Sequence, residues 1–156
     1  MEPVNPLQVL RDAMHIEKEG IRFYRLASKA SKDRKTQELF MRLAGEEHNP
    51  LEKLELVYDN LAENNEWLVD KDLLEGKKKV LKDLDIFNRD IGQEGDMDAL
   101  DRGIKVEDDS IILYQRAFDG FKESSNGRQS VFSWLLGFEK EHLKALKERR
   151  REIVGS

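Results

Sequence analysis

Apolar residues recur at intervals of three and four along four long stretches of this chain, the spacing that lines one face of an α-helix. The first stripe runs through Leu10, Ala13, Met14, Ile21, Tyr24 and Ala27, and the second through Phe40, Leu43, Ala44, Leu51, Leu54, Tyr58 and Leu61. The third holds Leu100, Ile104, Ile111, Tyr114, Phe118 and Phe121, and the fourth Phe132, Leu135, His142, Leu143 and Leu146. Turn-forming residues part the first pair at Ser31-Lys32-Asp33 and the second pair at Ser124-Ser125-Asn126-Gly127. The pattern predicts helices over about 5–31, 33–64, 96–122 and 128–153 in a single domain spanning 1–156. Asn5-Pro6-Leu7-Gln8 supplies a cap, a first-position proline and a capping-box partner for the first helix, and Asp96 is expected to cap the third. The segment from about 65 to 95 is a long connection, with a short amphipathic helix expected near Leu73 to Leu84. Two short turns and one long link give an all-α fold, a four-helix bundle of two antiparallel hairpins joined by one crossover.

Each stripe is interrupted by a carboxylate. Glu17, Glu47, Glu107 and Glu139 occupy positions where the pattern calls for a core residue. The interruption is part of an internal repeat. Ile16-Glu17-Lys18-Glu19-Gly20-Ile21-Arg22-Phe23-Tyr24 matches Val106 to Tyr114, and Leu43 to Leu51 matches Leu135 to Leu143 around Gly-x-Glu. Glu17 and Glu47 lie equally far from the first turn, and Glu107 and Glu139 equally far from the second, so each hairpin brings its pair to one level. Four carboxylates in one dry layer repel one another unless cations sit between them, and two divalent ions carry the charge that four carboxylates neutralise. The expected arrangement is a two-metal carboxylate site. His142 lies three residues after Glu139 on the same face, the Glu-x-x-His spacing with which bundle helices hold iron or manganese.

Composition narrows the chemistry. The chain has 156 residues and a net charge of -5, a slightly acidic balance that suits solvated helix faces and not a nucleic-acid binder. It contains no cysteine, which excludes thiolate ligands and a rubredoxin-type centre within it. No secretory h-region opens the sequence and no apolar run is long enough to span a bilayer, so a cytoplasmic protein without membrane contact is expected.

The Glu-x6-Tyr segments, the Leu-Ala-Gly-Glu-Glu stretch and Glu139-Lys140-Glu141-His142-Leu143 together resemble the rubrerythrin branch of the ferritin-like di-iron carboxylate superfamily. The resemblance covers nearly all of the chain except the crossover. It implies a centre of two iron ions, with manganese or a mixed pair also suited to these ligands. It further implies peroxide reduction or ferrous-iron oxidation, iron handling under oxidative stress, peroxide or O2 as substrate, an external electron donor and a homodimer. By position, Glu17 and Glu107 would be terminal or bridging ligands, Glu47 and Glu139 bridging ligands and His142 a terminal one. Tyr24 and Tyr114, seven residues after Glu17 and Glu107, would hydrogen-bond the ligand carboxylates.

Three departures from the family stand out. Pro50 occupies the place of a second histidine, three residues after Glu47. His48 is the only nearby substitute, and at about 100° round the helix from Glu47 it reaches the site only if the helix kinks or restarts at Pro50. Gly20 and Ser110 stand where a further glutamate often follows, and with no cysteine a rubredoxin-like electron-delivering domain is not expected within these residues. The contrasting expectation is a helical scaffold or dimerisation module whose metal site is degraded, with Pro50 as its mark.

Overall fold

The computed structural model describes residues 3–4, 6–62, 69–70, 80, 82, 95–120 and 128–155. A two-residue strand β1 (Pro3–Val4) pairs antiparallel with β2 (Val69–Asp70), and everything else of regular form is helical. Helix α1 spans Pro6–Ala30, and the second rod is divided into α2 (Arg34–Glu46) and α3 (His48–Ala62). Helix α4 covers Asp96–Gly120 and α5 covers Arg128–Gly155. Helix α1 packs on α2 and α3, α4 packs on α5, and α5 also packs on α2 and α3. This is the four-helix, ferritin-like bundle that the apolar pattern predicts. The expected helix within the crossover lies largely outside the described residues, although Val80 and Lys82 are helical and Val80 is buried in the core. No helix among the described residues is long and apolar enough to cross a membrane.

Antiparallel register follows from the cross-helix pairs. Along α4 and α5, Arg150 bonds Asp101, Leu146 lies against Gly103, and Tyr114 stacks obliquely on Phe132. Between the second rod and α5, Arg149 reaches Asp33 at one end, and Lys53 sits over Trp134 at the other. The core is drawn from the predicted stripes: Leu10, Tyr24, Phe40, Leu43, Leu54, Leu100, Tyr114, Phe132, Leu135 and Leu146 are all buried. Met14, Tyr58, Ile104, Ile111 and Phe118 pack only partly against it. The stripes were too narrow in one respect. Phe23, Ile16, Val106, Leu113 and Ala117 are buried as well, because a bundle helix touches two neighbours and so hides more than one line of residues.

Two details of the helix ends come from the structure. The second rod, expected over about 33–64 with a kink or restart allowed at Pro50, is interrupted by a turn at Glu47. Pro50 has no N–H to offer the Glu46 carbonyl four residues back, and its ring crowds that carbonyl, so the helix ends there and begins again. Helical bonds persist on either side, from Glu47 N–H to the Leu43 carbonyl at 3.1 Å and from Leu51 N–H to the Glu47 carbonyl at 3.4 Å. Asp96, in turn, does not cap its own helix. Its carboxylate accepts from the backbone N–H groups of Lys32 at 3.1 Å and Asp33 at 2.8 Å, tying the start of α4 to the first turn. Asp33 caps α2 by accepting from Thr36 N–H at 2.9 Å, while Arg149 donates to it at 2.8 Å. These bonds close the end of the bundle away from Pro50.

Gly103 is where α4 comes closest to its neighbours: a Cβ there would meet Leu146 Cδ1 at 3.3 Å and Phe23 Cε2 at 3.5 Å. Gly137 faces open space. Gly103→Val should destabilise the protein by about 1–3 kcal/mol through overpacking. Gly137→Ala should stabilise it by about 0.5–1 kcal/mol by restricting the unfolded chain. Denaturant unfolding of both variants checks the pair, and equal effects would contradict the packing described.

Candidate metal centre

The four inward carboxylates are delivered by four rods. Glu17 comes from α1, Glu47 from the turn between α2 and α3, Glu107 from α4, and Glu139 with His142 from α5. Each of the five side chains belongs to a residue only 2% exposed, which in a chain this rich in charge requires an explanation. One donor atom from each of Glu47, Glu107, Glu139 and His142 lies within 4.8 Å of all the others. Glu17 is not one of that group of four, but it stands beside it and lines the same small cavity as Glu47, Glu107 and Glu139. That cavity measures about 10 Å³, room for a single water-sized group, and Gly20 and Ser110 form part of its wall.

The two tyrosines are arranged reciprocally. Tyr24 of α1 donates to Glu107 Oε1 of α4 at 2.5 Å, and Tyr114 of α4 donates to Glu17 Oε1 of α1 at 2.7 Å. Each therefore holds the glutamate of the other half of the repeat and not the one seven residues before it. Carboxylate contact by both tyrosines agrees with the expectation; the exchange between halves could not be read along a single helix. His142 is bonded at both ring nitrogens. Nδ1 lies 2.9 Å from Glu47 Oε1 and 3.8 Å from Glu107 Oε1, and Nε2 lies 3.0 Å from Glu46 Oε2. Phe138 packs obliquely on the ring with centroids 4.6 Å apart, and Tyr24 meets it edge-on.

His48 does not join the cluster. It is exposed, and its Nε2 faces the Arg25 guanidinium at 3.5 Å. The break at Glu47 turns the backbone without rotating His48 inward, because the helix resumes immediately and keeps His48 on the outer face. Pro50, in the place of a second histidine, is buried and brings no donor atom. Glu46 was missed. The Glu46-Glu47 doublet was a visible signal, but Glu46 is only partly buried and meets His142 on another rod, a contact that spacing along one helix does not show.

Burial and mutual repulsion favour the protonated forms of Glu47 and Glu139 within the layer. As carboxylates, Glu47 Oε2, Glu107 Oε2 and Glu139 Oε1 are buried without a hydrogen-bond donor. Such oxygens are satisfied only by added protons or by cations. Burial pushes the Glu47 carboxyl well above the usual range, and the charges of Glu17 and Glu107 push the same way. Burial likewise raises Glu139, aided by Glu107, Glu17 and Glu47. Glu107 is the exception: burial works upward, but hydrogen bonds from Glu139 and His142, and from Tyr24, outweigh it and leave the group below its ordinary value. Burial alone would discharge His142, yet the hydrogen bond and charge of Glu107, followed by those of Glu46, raise it. Both tyrosine hydroxyls are pushed up by burial and then by the surrounding carboxylates, so they remain donors. The residues present thus fit a cationic occupant: orphaned oxygens, an imidazole nitrogen and, among the described residues, no lysine or arginine lining the cavity.

A pH dependence follows. Glu47 and Glu139 keep their protons to higher pH in the folded than in the unfolded chain, so the folded state binds more protons over that window and stability falls as pH rises through it. The raised His142 acts in the same direction, its contribution being lost as pH rises through the folded value. Glu107 opposes them only at lower pH, where its contribution is lost as the medium becomes more acid. The melting temperature of the metal-free protein should therefore fall between about pH 5 and about pH 8, and excess divalent metal should flatten that slope by replacing the protons. Scanning calorimetry with and without metal measures it; a metal-free melting temperature that rises across the range would contradict the assignment.

The comparisons with known proteins agree with this geometry. The family model described as Rubrerythrin matches residues 8–150, which takes in all four rods and the whole carboxylate layer. Neither the curated proteins nor the solved structures yield a match. With the match covering more than half of its length, the chain belongs to the rubrerythrin family.

Proposed function

We propose that the buried cluster is a di-iron centre, with Glu17, Glu47, Glu107, Glu139 and His142 as ligands, and that the protein reduces peroxide or oxidises ferrous iron using an external electron donor. The observation that carries this reading is the set of three orphaned glutamate oxygens converging with an imidazole nitrogen inside a dry bundle. A bound iron pair supplies the two electrons that, with two protons, convert one peroxide molecule to two waters. The chain supplies the rest. Tyr24 and Tyr114 hold Glu107 and Glu17 in place through hydroxyl donors. Glu47 and Glu139, which hold protons in the metal-free cluster, release them as metal enters. The tight walls at Ile16, Phe23 and Val106 limit access to small oxidants and exclude bulk water.

The ligand set is lopsided, since one half of the repeat has His142 and the other has Pro50. One metal position therefore has an imidazole and the other carboxylates alone, and the second should bind more weakly. Buried Pro50 is also the observation that favours the other reading, a helical scaffold that has kept its acidic layer and lost its metals. Anaerobic titration with ferrous iron separates the two. Two equivalents per chain, taken up in unequal steps and lost in Glu139→Ala, are expected for the di-iron centre, followed by peroxide consumption with a chemical reductant. No uptake, with Glu139→Ala neutral or stabilising, would support the scaffold and overturn the proposal.

A further inference from the structure

Three rings of α5 form a line that ends at the carboxylate layer. Trp134, Phe138 and His142 lie four residues apart, so they stand on one face of the helix over about 12 Å of its length. The ring centroids of Trp134 and Phe138 are 5.5 Å apart and those of Phe138 and His142 4.6 Å apart, so each ring touches the next. Burial deepens along the line. Trp134 is 38% exposed, Phe138 is half-buried and His142 is withdrawn from water. Lys53 of α3 holds its Nζ 5.0 Å from the centre of the Trp134 ring, and Leu56, one turn further along α3, is exposed.

Reduction of one peroxide at the centre needs two electrons from outside, and the side chains around it are buried, so a donor cannot touch them. Electron transfer falls steeply with the width of the gap between conjugated groups. A gap divided by rings in contact is crossed faster than an undivided one of the same length. A second way to His142 exists, through an open surface cavity of about 250 Å³, but Arg42, Glu46, Glu141, Lys144 and Glu148 line it. A donor seated there would strip water from those charged groups, at a cost in free energy. At Trp134 the exposed group is itself a conjugated ring.

We propose that Trp134 is the port through which a one-electron donor in solution reduces the metal centre, with Phe138 as the bridge to His142 and Lys53 favouring donors of negative charge. The inference rests on the metal reading given above. Each encounter oxidises the donor by one electron and reduces the centre by one, and the three rings end as they began. Two encounters, with two protons, match the conversion of one peroxide to two waters. Phe138 is too hard to oxidise to hold the charge; it narrows the gap that the electron crosses.

Two small donors of opposite charge test the port: the sulfur dioxide radical anion released by dithionite, and the reduced methyl viologen radical cation. The full chain is loaded with ferric iron, and the bleaching of its absorption is followed anaerobically without peroxide, so that turnover does not enter. Trp134→Leu and Phe138→Leu keep apolar bulk but remove a ring, and each should slow bleaching several-fold with both donors. Trp134→Phe and Phe138→Tyr should recover most of the rate. Lys53→Glu should instead slow the anion and speed the cation, by about ten-fold at low salt and far less at high salt. Lys144→Glu makes the same change of net charge at the open cavity, and should leave both rates within about two-fold of wild type. Zinc affinity, measured by calorimetry on the metal-free chain, should stay at the wild-type value in every variant.

Unchanged bleaching in Trp134→Leu and Phe138→Leu would overturn the port. So would a reversal of donor preference in Lys144→Glu in place of Lys53→Glu, or a loss of zinc affinity that parallels the loss of rate, since the rings would then only pack around the ligand. Each of these leaves the metal centre intact. Failure of the wild type itself to hold zinc or iron would instead overturn the metal reading, and this inference with it.

Discussion

Four carboxylates cannot share a dry layer without positive charge between them. Glu17, Glu47, Glu107 and Glu139 are each almost fully withdrawn from water, and among the described residues no lysine or arginine lines their cavity to compensate. Desolvating one carboxylate costs several kcal/mol unless it is paired, and bringing four together adds their mutual repulsion. In the metal-free chain, burial and mutual repulsion push the Glu47 and Glu139 carboxyls well above the usual range, and neighbouring carboxylates raise His142. A hydrophobic layer of the same volume would have been simpler for stability. The retention of acid here is intelligible if the layer exists to hold cations.

The rest of the bundle serves to keep that layer closed and in register. Two tyrosines cross between the halves of the repeat, each tying the other half's glutamate. This joins α1 to α4 by polar bonds at the level of the site, while apolar packing of Phe23, Phe40, Leu100 and Leu146 secures the rods on the side towards the first turn. At that end, Asp33, Thr36, Asp96 and Arg149 form a capping network that fixes the first turn against α4 and α5. An antiparallel bundle pinned at one end has little freedom to slide. A slide of one residue would rotate every glutamate by about 100° and dissolve the site.

The internal repeat is close to symmetric through Glu17 and Glu107, Tyr24 and Tyr114, and Glu47 and Glu139. It fails at His142, which has Pro50 for its counterpart. Pro50 changes the backbone as well as the donor set: it ends α2 at Glu46 and produces the turn on which Glu47 sits. The two halves therefore differ in backbone as well as in chemistry, Glu47 sitting at the break in a rod and Glu139 on a continuous helix. That asymmetry suits a centre whose two positions bind metal unequally.

Periodicity alone was enough to place Glu17, Glu47, Glu107, Glu139 and His142 inside the bundle, because helical spacing determines which face a residue occupies before any partner is known. The near-equal distances from each glutamate to its turn likewise followed from the constant rise of a helix. Tertiary structure decided what depends on distances between different rods. It matched Tyr24 with Glu107 and Tyr114 with Glu17, sent Asp96 to the backbone of the opposite turn, kept His48 outside and brought Glu46 to the far nitrogen of His142. It also decided which glutamates keep protons, since that depends on the summed field of neighbours drawn from all four rods. A stripe on one helix records which way a side chain points; only the packed bundle determines what it meets.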